Sequence, residues 1–194
     1  MDTKIKYGGF FLRFAAFWLD GIILLPLIGV QFLLQAHYRL FNAYYLVPGL
    51  CLSLFYSVYL VKRFGGTPGK LILGLRIVKK DGLPVGYREA FLRFLPELLL
   101  GEAAFVALIL STLRISDSEY LSLAFAPRSK RLAELAPGWY SPVHALQMAW
   151  VWSEFIVLLT NEKRRALQDY LAGTMVIVKQ PTPEPEPPSL SPES

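Results

Sequence analysis

A stretch of about 25 apolar residues, Phe10 to Leu34, carries Arg13 and Asp20 inside it, and few architectures tolerate that combination. At 1.5 Å rise per residue, the stretch crosses a hydrocarbon core of roughly 30 Å as a single helix. A charge near the centre of such a helix costs roughly 2.5–3.5 kcal/mol on insertion scales, so it needs a partner or a polar cavity at that depth. Arg13 and Asp20 stand seven positions apart. They therefore share one helix face, about 10 Å apart along the axis. That is long for a direct ion pair, so each has another partner, or both meet a third group or water.

The remaining sequence agrees with a bilayer setting. Of its 194 residues, 54% are hydrophobic and only 18% charged, and the mean hydropathy is +0.39, outside the range of an ordinary soluble domain. A formal charge of +5 raises the question of nucleic acid. The basic residues lie beside apolar runs and do not form a basic domain, so the bilayer is the expected partner and nucleic acid is not. Cys51 is the single cysteine and sits among apolar residues, which excludes an internal disulfide and suggests a core or lipid-facing position. Lys4 and Lys6 precede the first run as in a secretory signal, but its length, its charges and the lack of a small-x-small site predict a retained helix.

Apolar segments fall at about 10–34, 44–61, 91–113 and 143–160. The third carries Arg93 and Glu97 at its start and Glu102 within it, so it either crosses fully or re-enters on one side, leaving three spans. The fourth opens on Trp139 and Tyr140, as interfacial aromatic belts do. Lys62, Arg63, Lys70, Arg76, Lys79, Lys80 and Arg88 crowd the linker after the second span, against Arg39 alone in the linker after the first. The positive-inside rule then predicts a multi-pass protein of the inner (plasma) membrane with that linker and the N-terminus cytoplasmic. Lys163, Arg164 and Arg165 agree with four spans, whereas the basic residues of 114–142 are awkward for that arrangement.

The fold class expected is a membrane all-α bundle of about four transmembrane helices with a small cytoplasmic β-hairpin or sheet. Leu71 to Lys79 leads into Asp81-Gly82, a hairpin signal, with a second strand through Leu83 to Tyr87 that Pro84 confines to an edge. Met175 to Lys179 is a further β-branched run for the same sheet. One domain, 5–180, precedes a Pro/Glu-rich tail, 181–194, expected to be extended and disordered.

Chemistry-bearing motifs are sparse. Gly65-Gly66-Thr67-Pro68-Gly69-Lys70 is a poor phosphate loop, one residue short and followed by Leu71 where Ser or Thr is required, and reads as a tight turn. Lys70 would then meet lipid phosphates, as would Lys62, Arg63, Lys79 and Lys80. His37 and His144 lack ligating neighbours, so no metal site is expected and no cofactor either. Glu97, Glu102 and Glu154 lie in apolar surroundings, either paired with arginine or acting as ion or proton ligands.

Three blocks of sequence together resemble the RDD family of integral membrane proteins. They are Gly8-Gly9-Phe10-Phe11-Leu12-Arg13-Phe14 with Asp20; Gly65 through Val78 with Asp81-Gly82 and Arg93; and Arg164-Arg165-Ala166-Leu167-Gln168-Asp169-Tyr170 onward to Val176. The likeness covers about 5–178 apart from 114–142, which looks like an insertion. It implies that Arg13, Asp20 and Asp169 are the arginine and two aspartates for which the family is named. Gln168 departs from members that carry His there, which puts a proton role at that position in doubt. Some members are proposed to act in sodium–proton or solute exchange.

Two functions therefore stay open: a small component of cation/proton or solute exchange, acting as an oligomer, or a noncatalytic membrane scaffold or partner subunit. Enzymatic activity is not expected, since no catalytic set converges. For Arg13, Asp20 and Asp169, two readings also stand side by side: an exchange site made by all three, or a lock in which Arg13 ties the first helix to Asp169.

Overall fold

The computed structural model describes residues 6–160 and 164–179. The expected disordered tail, Lys4 and Lys163 lie outside them. Four of the described helices are long and apolar enough to cross a membrane. The first, α1, runs Phe10–His37 straight through Pro26. The second is continuous through α2 (Phe41–Leu54), a π-helical turn (Phe55–Tyr59) and α3 (Leu60–Phe64). Gly65 ends it with φ +80°, a left-handed cap that glycine adopts without steric cost. Pro68 then opens the short α4, Pro68–Ile72, at a position where its missing N–H is harmless.

The third span, α5, is one unbroken helix, Tyr87–Leu113. It is about 40 Å long by its 1.5 Å rise, so the re-entrant alternative does not describe this fold. After two short helices, α6 (Asp117–Ser122) and α7 (Phe125–Glu134), the last span α8 runs Tyr140–Leu159, and α9 (Leu167–Ala172) follows. Three of the spans begin three or four residues before the apolar segments do. Hydropathy marks the part facing lipid, whereas polar flanks such as Tyr87-Arg88-Glu89 continue the helical hydrogen bonding.

The sheet pairs β1 (Leu75–Lys79) antiparallel with β2 (Thr174–Val178), Leu75 opposite Val178 and Lys79 opposite Thr174. The 175–179 run thus joins the sheet as expected, but the hairpin does not form. Its turn is present, with Gly82 at φ +83° and the Asp81 carboxylate accepting the Leu83 N–H at 3.0 Å. The second strand shrinks to a single bridge between Val78 and Pro84, because proline has no N–H to extend the ladder. The other edge of β2 takes the N-terminal residues, where Gly8 N–H donates to the Val176 carbonyl at 2.9 Å.

Buried Ala16, Val61, Leu75, Ile77, Val85, Ala90 and Val176 form the main core where the spans meet the sheet. Farther along the bundle, Ala104, Ala107 and Ser111 are buried on α5 and let backbones approach closely. At the opposite end, Ile115, Tyr120 and Leu132 make a second small core under α6 and α7. Ile22, Val47, Leu99, Leu146 and Leu159 face outward as a lipid-facing belt would, and Cys51 is exposed among them.

Candidate functional site

Arg13 lies one turn into α1 and is buried to 1% exposure. Its guanidinium donates to the Gly8 carbonyl at 3.2 Å, to the Arg164 carbonyl at 2.6 Å and to Asp169 Oδ2 at 2.8 Å. Asp169 is fully buried in the first turn of α9, where Oδ2 also caps the helix by accepting the Ala166 N–H at 2.9 Å. Its other oxygen accepts from Arg93 of α5 and, at 3.3 Å, from the Thr174 hydroxyl. Arg165 completes the cluster, donating to the main-chain carbonyls of Asp169 (2.7 Å) and Thr174 (3.0 Å). One carboxylate thus joins α1, α5, α9 and β2. Burial alone would push the Asp169 carboxyl up, but the Arg93 and Arg13 guanidiniums hold it well below the usual carboxylate range.

Asp20 is not part of this cluster. Its carboxylate accepts from the Tyr56 hydroxyl (2.5 Å), the Thr67 hydroxyl (2.6 Å) and the Gly69 N–H (2.6 Å). The π-helical turn supplies Tyr56, and π turns inside helices recur at functional sites. The Gly-Thr-Pro-Gly turn supplies the other two donors. A Cβ on Gly69 would stand 2.8 Å from Asp20 Cγ, so only glycine lets α4 lie this close to α1. Arg13 and Asp20 therefore have separate partners, and the structure does not assemble Arg13, Asp20 and Asp169 into one site.

Between these two centres lies a cavity of about 230 Å³. Lys70, Arg93, Glu97, Glu154, Thr67 and Gln168 contribute to its polar wall, with Phe17, Phe94 and Trp150 on its apolar side. Lys70 was expected at lipid phosphates; it lines this cavity instead, because α4 folds back against α1. Two of the three glutamates meet here, whereas Glu102 lines a separate apolar groove between α1, α2 and α5. Ser57, on the π turn, borders both. Of the basic linker, Lys62, Arg63 and Lys80 are exposed, and the Lys79 ammonium lies 3.9 Å from Glu89. Among the described residues, no group of three His, Cys, Asp or Glu side chains converges to hold a metal ion.

Tyr56 and Thr174 carry no site signal in the sequence, and Thr67 and Arg165 are legible there only as parts of a turn and of a family block. Thr67 has a signal in hindsight, a hydroxyl fixed between Gly66 and Pro68 in a turn that must approach α1. Nothing local distinguishes Tyr56 from the other tyrosines. No curated protein and no solved structure matches the chain. The RDD family does match, over residues 7–173, a range that contains Arg13, Asp20, Asp169 and every wall of the cavity. With that match over most of its length, and with four apolar helices long enough to span, the chain belongs to the RDD family.

Proposed function

We propose that the protein is a noncatalytic component of cation/proton exchange, and that the exchanging group is the Glu97–Glu154 pair of the inner cavity. The observation that carries this reading is the shared wall of Glu97, Glu154 and Lys70 inside the bundle. Arg93 also borders the cavity, but its guanidinium is engaged by Asp169 and Thr174. Arg13 and Arg93 share the single charge of Asp169, so with Lys70 they leave two positive charges against the three carboxyls of Glu97, Glu154 and Asp20, and one proton or one monovalent cation closes the difference. In a low-dielectric setting such a difference is not left open, so one occupant replaces the other. Asp20, held by three neutral donors beside Thr67, fixes the wall that carries Lys70. Asp169 serves as the lock. The assignment to a cell membrane with the sheet cytoplasmic rests on the basic linker and belongs to the same proposal.

The test is flux in proteoliposomes. Purified protein should dissipate a pH gradient when sodium or potassium is added, and Glu97→Gln and Glu154→Gln should each remove most of that flux while the protein remains monodisperse. Absence of flux in the unmodified protein, or its survival in both variants, refutes the reading. A second reading, a membrane scaffold or partner subunit, draws on the exposed Lys62, Arg63 and Lys80. It predicts a stable partner in mild detergent that is lost on charge reversal at Lys79 and Lys80.

A further inference from the structure

At the end of the bundle away from the sheet, the last turn of α1, the first turn of α2, the C-terminal half of α5 and the start of α8 surround a second cavity, of about 570 Å³, that α6 and α7 cover. Phe32, Leu108, Phe125 and Leu132 form its apolar wall, and Gln35, Tyr120, Ser129 and Tyr140 add polar atoms. Two further polar groups in the lining are left unpaired. Asn42 is 5% exposed and its Oδ1 has no hydrogen-bond partner; the Nε–H of Arg128 is likewise buried and unpartnered. The remaining guanidinium nitrogens of Arg128 donate only to main-chain carbonyls, Gln35 at 3.3 Å and Leu123 at 2.7 Å, while the group stacks 4.4 Å above the Tyr120 ring. Among the described residues, no carboxylate lines the cavity or pairs with Arg128. A cation without a counter-charge, an acceptor without a donor and an apolar wall thus share one chamber at the end of the spanning helices.

Buried polar groups in folded proteins are nearly always hydrogen-bonded, and an unpaired one has a cause such as local strain, an ordered water or a ligand; two in one cleft beside an apolar wall favour the last. An occupant must present an anionic oxygen to Arg128, a hydrogen-bond donor to Asn42 Oδ1 and a hydrocarbon portion to the phenylalanines and leucines. We propose that this chamber binds a glycerophospholipid whose phosphate is followed by a headgroup hydroxyl or ammonium. Phosphate oxygens accept from Arg128 and the headgroup donor meets Asn42. A choline headgroup supplies the same phosphate and chains but has no N–H or O–H, so it leaves Asn42 unsatisfied. The site shares no lining residue with the Glu97–Glu154 cavity and stands whether or not the protein carries flux.

Delipidated full-length protein in detergent, titrated with phosphatidylglycerol, phosphatidylethanolamine and phosphatidylcholine of identical chains and followed by native mass spectrometry, tests the assignment. The first two should bind about tenfold more tightly than the third, the worth of roughly one well-formed hydrogen bond at an otherwise unsatisfied group. Asn42→Leu should bring all three to within about twofold of one another, and Arg128→Gln should weaken all three together. In lipid-free detergent, Asn42→Leu should unfold no earlier than the unmodified protein, since it removes an oxygen that bonds to nothing. Equal retention of phosphatidylcholine, a headgroup preference that survives Asn42→Leu, or early unfolding of that variant overturns the proposal. Protection by chain-free glycerol 1-phosphate as strong as by the lipids overturns the lipid assignment in favour of a soluble phosphate.

Discussion

Replacing Asp169 by Asn removes one negative charge and leaves two guanidiniums, those of Arg13 and Arg93, buried at 1% and 5% exposure without a counter-ion. Breaking a buried ion pair from one side costs about 3–5 kcal/mol, mainly because the surviving charge stays desolvated. Asparagine fits this pocket worse than that figure implies. The carboxylate accepts on both oxygens, from Arg13 and the Ala166 N–H on one and from Arg93 and Thr174 on the other. An amide keeps one oxygen and turns its NH2 toward donors on the opposite side, whichever way it is flipped. A loss of about 4–5 kcal/mol is therefore expected. At about 2–4 °C per kcal/mol for a chain of this size, the midpoint of thermal unfolding falls by about 10–20 °C. The assay is the surviving monodisperse fraction after heating in detergent. Arg93→Gln combined with Asp169→Asn should recover part of the loss, with a coupling of about 1–3 kcal/mol. If Asp169→Asn melts within 2 °C of the parent, a coupling between carboxylate and guanidiniums does not hold α9 to the bundle, and the reasoning fails.

The pH dependence of this stabilisation follows from the same contacts. Because the folded carboxyl titrates below its unfolded value of about 3.9, its contribution is complete above that value and is lost as pH falls through the lower folded one. The difference in melting between Asp169→Asn and the parent should be the same at pH 5.5 and pH 8 and shrink below about pH 4. Gly69→Ala should lower stability by about 1–3 kcal/mol, since its methyl meets Asp20 and the α1 backbone; a neutral outcome in the same melting assay would mean that α4 is free to move off. Asp117→Asn, by contrast, should change stability by no more than about 1 kcal/mol, because Asp117 is 72% exposed where it meets Arg39; a larger loss would show that this pair fastens α6 to the bundle.

Much of this architecture is written in one dimension. Apolar length identifies each span, and Asp81-Gly82 marks a turn, because both depend on near neighbours in the chain. The partner of β1 does not. Pro84 weakens the adjacent strand, and the free edge is taken by Thr174–Val178, about a hundred residues later, which only the closed bundle brings near. The charged residues divide in the same way. That Arg13 needs a counter-charge follows from its depth, but the choice of Asp169 over Asp20 depends on how α9 returns beneath α5. Lys70 is misleading for a related reason. In sequence it belongs to a basic linker, and in space the close approach at Gly69 turns it into the cavity.

The two aspartates differ in what neutralises them, and that difference divides their work. Asp169 is held by the guanidiniums of Arg13 and Arg93, the Ala166 N–H and the Thr174 hydroxyl, so a change in its ionisation would release the contacts joining three helices and a strand. In the division of roles proposed above Asp169 is the anchor, and a group so placed is unsuited to repeated protonation. Asp20 has neutral donors alone, from a π turn and a glycine turn. Neutral donors stabilise its charge without cancelling it, so the second span and α4 remain tied to a residual negative field beside the cavity where Lys70 faces Glu97 and Glu154. Any cation entering that cavity meets this field, and any proton leaving it does too. The proposed exchange at the glutamates therefore predicts sensitivity to Asp20 through electrostatics and through the position of α4, and dependence on Asp169 only through closure of the bundle.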